Sequence, residues 1–177
     1  MKIKSKEMFA IYAKITAQAD KNTSGRAGEY FTEVFLKKQG IKYEKWPQEI
    51  LPLSSTMAEL GGKRPDFVAL LDQDILIIDA KYHKTENCTK FYLSDEEIKK
   101  YKGMIGFFRK EYANLTNLVF TFFLFPKEDL GKSFYLILMD DFDSWEEVMK
   151  YGKKGRFFDL NGQQKIDCIL FQEDNDQ

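Results

Sequence analysis

Two aspartates and a lysine frame the one stretch whose residue types and spacing point to chemistry. It runs from Lys63-Arg64-Pro65-Asp66 through an apolar strand, a polar turn at Asp72-Gln73 and a second apolar strand to Asp79-Ala80-Lys81. A two-residue turn at Asp72-Gln73 pairs Leu71 with Asp74 and, counting back along both strands, Asp66 with Asp79. Directly opposite side chains on one face stand about 5 Å apart at Cβ. Asp79 and Lys81 are two apart in one strand and share a face. Asp66, Asp79 and Lys81 therefore converge, with Phe67, Ile78 and Ala80 turned the other way. Two carboxylates this close repel unless positive charge lies between them. Lys81 supplies one charge. A divalent cation supplies more, and Mg²⁺ takes one or two carboxylates together with water and substrate phosphate. Such a cation polarises a phosphoryl oxygen and helps generate hydroxide, while the lysine positions water or stabilises developing charge. The same pattern also describes an exposed polar hairpin face with a cross-strand salt bridge. Against that reading, residues 75–78 are all apolar, as in a strand buried on both faces, where acids are costly without a function.

Composition removes most other chemistries. The 177 residues include one histidine, His83, and two cysteines, Cys88 and Cys168. That excludes a zinc site of the usual Cys/His kind and leaves only His83 for a nucleophilic triad. His83 is read as structural and as pointing away from Lys81. Lys plus Arg number 27 and Asp plus Glu 28, a net charge of −1, so no overall basic field announces nucleic acid or membrane. No apolar run approaches a membrane span, and the N-terminus lacks the apolar stretch of a signal peptide. Two distant cysteines suit a reducing cytoplasm. The 16 Phe, 9 Tyr and 2 Trp need a real core, which excludes disorder for most of the chain.

The elements that must position the acids follow from periodicity. The chain reads as a single domain over 1–177, with an N-terminal helix at about 5–20, a core at about 25–140, and a C-terminal helix and strand within about 144–171. Ser24 is the expected N-cap of a helix reaching Gln39, with Ala27, Tyr30, Phe31, Val34 and Phe35 as its apolar stripe and Gly40 as its C-cap. Glu29 lies off that stripe, where an acid near a helix N-terminus is favoured by the dipole alone. Residues 41–46 read as a strand and 47–62 as a loop. The two hairpin strands follow, then a loop at 84–91. Ser94 and Glu97 form a capping box that opens a helix to about Tyr112. Residues 118–125 and 134–139 are apolar strands, the first central. A short helix is expected at 145–151 and a last strand at 166–171. This order predicts an α/β fold, a mixed central sheet flanked by helices on both sides.

Pro65-Asp66, a spacer and Asp79-Ala80-Lys81 in that order resemble the signature of the PD-(D/E)XK nuclease superfamily, which includes many restriction endonucleases and Holliday-junction resolvases. Gly25-Arg26-Ala27-Gly28-Glu29 resembles that family's first core helix, whose glutamate often completes the metal site. The segment Ile98-Lys99-Lys100-Tyr101 resembles its second core helix, with Glu96 or Glu97 where a glutamine often stands. The resemblance spans about residues 25–125. It implies a restriction-endonuclease-like core and an Mg²⁺-dependent or Mn²⁺-dependent endonuclease acting most simply on DNA. Asp66, Asp79 and Glu29 would hold the metal, and Lys81 would orient water. Lys63, Arg64 and Lys84 beside the site are expected on the nucleic-acid backbone, as are Lys153, Lys154 and Arg156, read as a glycine-flanked basic loop. A homodimer fits the cutting of both strands by one site per chain. The alternative on the same fold is a non-cleaving nucleic-acid-binding or assembly subunit, against which the paired acids count. Two expectations concern stability. Lys81 is dispensable to the fold unless buried and paired, and Asn at either position 66 or 79 relieves repulsion and stabilises the metal-free chain.

Overall fold

The computed structural model describes residues 21–46 and 55–168. The expected helix at 5–20, residues 47–54 of the expected loop and the end of the last strand lie outside these. Helix α1 (Lys21–Lys38) passes through Ser24, so that residue does not cap it. A cap acts only where the preceding chain leaves the helix, and residues 21–23 are already helical. At its other end Gly40 adopts φ +65°. Its N–H donates to Lys37 O at 3.1 Å and that of Ile41 to Leu36 O at 3.0 Å, the Schellman pattern that satisfies the last carbonyls.

Strands β1 (Lys42–Lys45), β2 (Phe67–Leu71) and β3 (Asp74–His83) form an antiparallel meander. A short helix, α2 (Ser55–Glu59), lies between β1 and β2, within the expected loop. Strand β4 (Lys90–Ser94) leads directly into helix α3 (Asp95–Glu111), opened by the Ser94/Glu97 capping box. Strand β5 (Leu118–Pro126) returns parallel to β3, and β6 (Ser133–Leu138) pairs with it antiparallel. Beyond β7 (Glu146–Lys150) and β8 (Lys153–Asp159) comes β9 (Lys165–Asp167). The main sheet has the order β1-β2-β3-β5-β6-β9; a second sheet has the order β4-β8-β7. The fold is α/β, with a mixed central sheet flanked by helices.

Alternation along β3 assigns its two faces. Leu76, Ile78, Ala80 and Tyr82 pack with Ala27, Phe31 and Leu36 of α1. Ile77 packs with Ile98, Tyr101, Met104 and Phe108 of α3 on the other side. Because side chains alternate with a period of two, Asp79 and Lys81 fall on the α3 face.

The second sheet replaces two expected elements. Residues 145–151 are not a helix. Trp145, Val148, Met149 and Tyr151 are three and four apart, which imitates a helical stripe, but Glu146–Lys150 pairs in register with β8. The hairpin closes through Tyr151 and Gly152, both at positive φ (+53° and +72°), the two-residue turn whose twist suits paired strands. Lys153, Lys154 and Arg156 consequently lie on a strand and not in a loop. Strand β4 likewise begins at Lys90, inside the expected loop.

Candidate active site

The β2–β3 hairpin pairs Leu71 with Asp74 and Phe67 with Ile78, and the Asp66 N–H donates to Ile78 O at 2.9 Å, which brings Asp66 alongside β3 next to Asp79. Regular pairing stops at Phe67. There Asp66 turns its carboxylate to the neighbouring strand, and Oδ2 accepts the N–H of Ala80 at 2.7 Å. Trp46 donates its N–H to Asp66 O at 2.8 Å, which fixes the Asp66 backbone from the β1 side. The Asp79 side chain is fully buried. Lys81 Nζ lies 3.0 Å from its Oδ2, and the Tyr101 hydroxyl donates to the same oxygen at 2.8 Å. Lys63 Nζ donates to Oδ1 and stands 3.2 Å from the Tyr101 hydroxyl. Both ammonium groups lie over the Tyr101 ring, 4.7 Å (Lys63) and 5.4 Å (Lys81) from its centroid.

Two glycine contacts bring these elements together. A Cβ on Gly28 would meet the β3 backbone at Tyr82 N, 2.9 Å away, and at Lys81 C, 3.1 Å away. Only glycine lets α1 sit this low on β3, and the contact carries the adjoining Glu29 to the end of the sheet where Asp66 stands. Glu29 Oε2 is held there by Lys45 at 2.7 Å, and its charge reaches Asp66. On the opposite face, Gly62 meets the α3 backbone at Met104 N, where an added Cβ would lie 2.9 Å away. That contact seats the next residue, Lys63, beside Tyr101.

Burial and charge then set the protonation states. Burial pushes the Asp66 carboxyl up to about 7, aided by the Asp79 charge, while Lys63 and the Ala80 N–H pull the other way. Burial also works against the Asp79 carboxylate, but Lys81 and Lys63 together hold it below the ordinary carboxylate range. Burial opposes the charge on Lys81, yet the Asp79 carboxylate more than offsets it and raises the ammonium above its usual value. The Tyr101 hydroxyl is driven well above its normal range by burial and by Asp79. The centre thus contains one ionised aspartate, one aspartate that titrates near neutrality, two lysines and a neutral phenol.

The sequence-derived residues divide into two groups. Asp66, Asp79 and Lys81 meet, Glu29 stands at their margin, and Lys63 joins them as a direct partner of Asp79. Arg64 is half-buried on the adjoining stretch and Lys84 is exposed just past β3. Lys153, Lys154 and Arg156 lie apart on the second sheet. Lys154 pairs with Glu147 at 3.3 Å and Arg156 with the same acid at 2.9 Å. Arg156 also donates to Asp143 O and Trp145 O at 3.0 and 3.3 Å. His83 does not point away from Lys81. It is two residues further along β3, on the same face, with its ring edge-on to Phe91 at 5.7 Å. Glu97 is occupied by the helix cap, its Oε2 accepting from Ser94 N and Oγ at 3.2 and 2.9 Å. Tyr101 was the residue that sequence reasoning left out of the site. It falls in the apolar stripe of α3 and reads as core; the signal is that a buried tyrosine hydroxyl needs a partner.

Among the described residues no three His, Cys, Asp or Glu side chains gather closely enough to form a ready cation cage. The donor chemistry present is that of a two-carboxylate site. Asp66 and Asp79 carry oxygen donors of the kind Mg²⁺ and Mn²⁺ accept, and a cation held by them would take its remaining ligands from water and substrate. Burial first and the Asp79 charge second raise Asp66, and a divalent cation there would offset both. No family model matches the chain, and no curated protein matches it at a significant level. Among solved structures it is similar to Hjc, a Holliday junction resolvase from the archaeal hyperthermophile Archaeoglobus fulgidus. The TM-score is 0.45 and the identity 17%, over 76% of this chain and 83% of that one.

Proposed function

We propose that the chain is a divalent-metal-dependent endonuclease that hydrolyses phosphodiester bonds, with DNA as its substrate. The observation that carries this reading is the buried Asp79 carboxylate, with a second acid, Asp66, hydrogen-bonded to the next residue of β3, and Lys81 two residues on and in contact with Asp79. A structural ion pair needs one acid and one base; here two acids share Lys63 and Lys81, and the Asp79 charge still helps burial to raise Asp66. Asp66 and Asp79 would hold Mg²⁺ or Mn²⁺, with Glu29 assisting once released from Lys45. The metal, when bound, polarises a phosphoryl oxygen and lowers the pKa of bound water. Lys81, kept charged by Asp79, orients the attacking water or stabilises charge developing on the phosphate. Tyr101 fixes Asp79 Oδ2 by its hydrogen bond. Arg64 and Lys84 would contact backbone phosphates. The two free cysteines favour a cytoplasmic setting, and a homodimer would bring two such sites to one duplex.

A second reading has one observation in its favour. Both oxygens of Asp79 are satisfied within the chain, by Lys63 on one side and by Lys81 and Tyr101 on the other. A closed polar network suits a nucleic-acid-binding or assembly subunit that never cleaves. Incubation of linear, nicked, branched and single-stranded DNA with the protein and Mg²⁺ or Mn²⁺ separates the two. Cleavage by wild type that is lost in Asp66→Asn, which keeps the shape of the site, supports the nuclease. DNA binding without cleavage on any substrate leaves the binding subunit.

A further inference from the structure

The Asp79 carboxylate is held by more positive charge than a single catalytic lysine brings. Lys81 and Tyr101 share Oδ2, and Lys63 has Oδ1 to itself. The Lys63 charge also acts on Asp66, so this ammonium lies where both acids draw it. The two lysines are held differently. Lys81 is part of β3, paired in register with Leu124 of β5, and its side chain is 19% exposed. Lys63 comes from the irregular stretch between α2 and β2, and its side chain is 30% exposed. It is the more accessible of the two cations.

We infer that Lys63 is a displaceable counter-ion: its ammonium holds Asp79 Oδ1 in the metal-free chain, and a divalent cation binds by taking its place. The inference rests on the metal-dependent reading above and goes beyond it, since it moves Lys63 from the DNA backbone to control of cation affinity. Two positive charges at one carboxylate oxygen repel each other, so each weakens the binding of the other. Lys63 stabilises a buried acid that would otherwise stand short of positive charge, and the cost is weaker cation binding. Once displaced, its flexible stem leaves the ammonium close by, free to pair with a substrate phosphate.

The test uses Mn²⁺ alone, without DNA, and reads free Mn²⁺ by electron paramagnetic resonance. Lys63→Met retains an unbranched stem and removes the charge. Its Mn²⁺ affinity is expected to rise about tenfold, the weight of one pK unit. Its metal-free melting temperature is expected to fall, because Asp79 has lost a partner. The opposite signs are the signature of competition; a merely structural Lys63 would lower the melt and leave cation binding unchanged or weaker. Should Lys63→Met not fold, Lys63→Gln keeps a hydrogen bond to Asp79 without the charge and carries the same expectation. Wild type that binds Mn²⁺ while neither variant binds tighter overturns the inference alone. Wild type that binds no Mn²⁺ overturns it together with the metal-dependent reading.

Discussion

Gly62 and Gly103 cross at backbone contact. A Cβ on Gly103 would lie 2.8 Å from Gly62 Cα and 2.5 Å from Leu60 O. The crossing locks the stretch that carries Lys63 onto the helix that carries Tyr101, and so closes the polar network over Asp79. Gly103→Ala is expected to force the two backbones apart and to cost about 1–3 kcal/mol, the usual range for overpacking. Gly106, one turn along the helix, is the control: its Cβ would meet only Leu60 Cδ1, at 4.0 Å. Gly106→Ala is expected to stabilise by about 0.4–1 kcal/mol through the unfolded state. Urea unfolding of both variants measures the contrast, and equal effects would dismiss the crossing as a constraint.

Lys81 is mostly shielded from solvent and paired with a buried acid, so it does not meet the condition under which the sequence makes it dispensable to stability. Lys81→Met is expected to abolish cleavage and also to destabilise by about 1.5–3 kcal/mol, the range for a hydrogen bond to a charged group. Lys63 and Tyr101 still hold Asp79 in that variant, which keeps the loss below that of a stranded buried charge. Lys81→Arg is expected to recover part of the stability and none of the activity, because a planar fork does not replace a compact ammonium. Activity in the arginine variant would remove the point charge from the mechanism.

The hairpin and its register from Leu71–Asp74 to Phe67–Ile78 are legible in the sequence because a two-residue turn and a strict period of two leave one answer there. The capping box at Ser94 and the glycine stop at Gly40 are legible for the same reason: each is a local rule satisfied locally. The second sheet is not. Strands β4, β7 and β8 are short, and their pairing joins Leu93 to Arg156 across more than sixty residues. A five-residue segment with Val148 and Met149 three and four residues after Trp145 carries no local mark against a helix. Lys63 shows the same limit within the site. Its reach to Asp79 depends on the Gly62–Gly103 crossing, a contact between distant segments, and from sequence it is one more basic residue beside the motif.

Tyr101 offers a test of the network that leaves the core intact. Its ring packs edge-on against Phe122 at 4.7 Å, and Phe in its place preserves that contact. Tyr101→Phe removes the donor to Asp79 Oδ2 and is expected to cost about 1.5–3 kcal/mol. If the hydroxyl also orients Asp79 for a cation, Mn²⁺ affinity falls as well. A stability loss with unchanged Mn²⁺ affinity would confine Tyr101 to packing and hydrogen bonding in the metal-free chain.

Asp66 and Asp79 act on each other electrostatically, but they are not equivalent, and their asparagine variants should part company. Asp66 titrates near pH 7 in the folded chain against an ordinary value of 3.8. Between those two values the folded state binds a proton that the unfolded state has released. Linkage then makes stability fall as pH rises from about 4 to about 7. At pH 7.5 the ionised Asp66 is a net burden, so Asp66→Asn is expected to raise metal-free stability by about 1 kcal/mol; water at this half-buried position screens the repulsion below the full weight of the shift. The gain should vanish by pH 4, where the wild-type carboxyl is already neutral. Asp79 behaves in the opposite way. Its ionised form is held below the ordinary range by Lys81 and Lys63, so Asp79→Asn strands two lysines and is expected to destabilise by about 3–5 kcal/mol. Sequence alone treats the two substitutions alike, since it shows their repulsion and not the second lysine. Both variants should also lose the stabilisation that Mn²⁺ gives to a native-state site. Thermal melts in chelator at pH 4 and 7.5, then with Mn²⁺ at pH 7.5, read all of these together. An Asp66→Asn chain less stable than wild type at pH 7.5 would show that Asp66 is held in place by its charge, and the two-acid site would lose the repulsion that a metal is proposed to relieve.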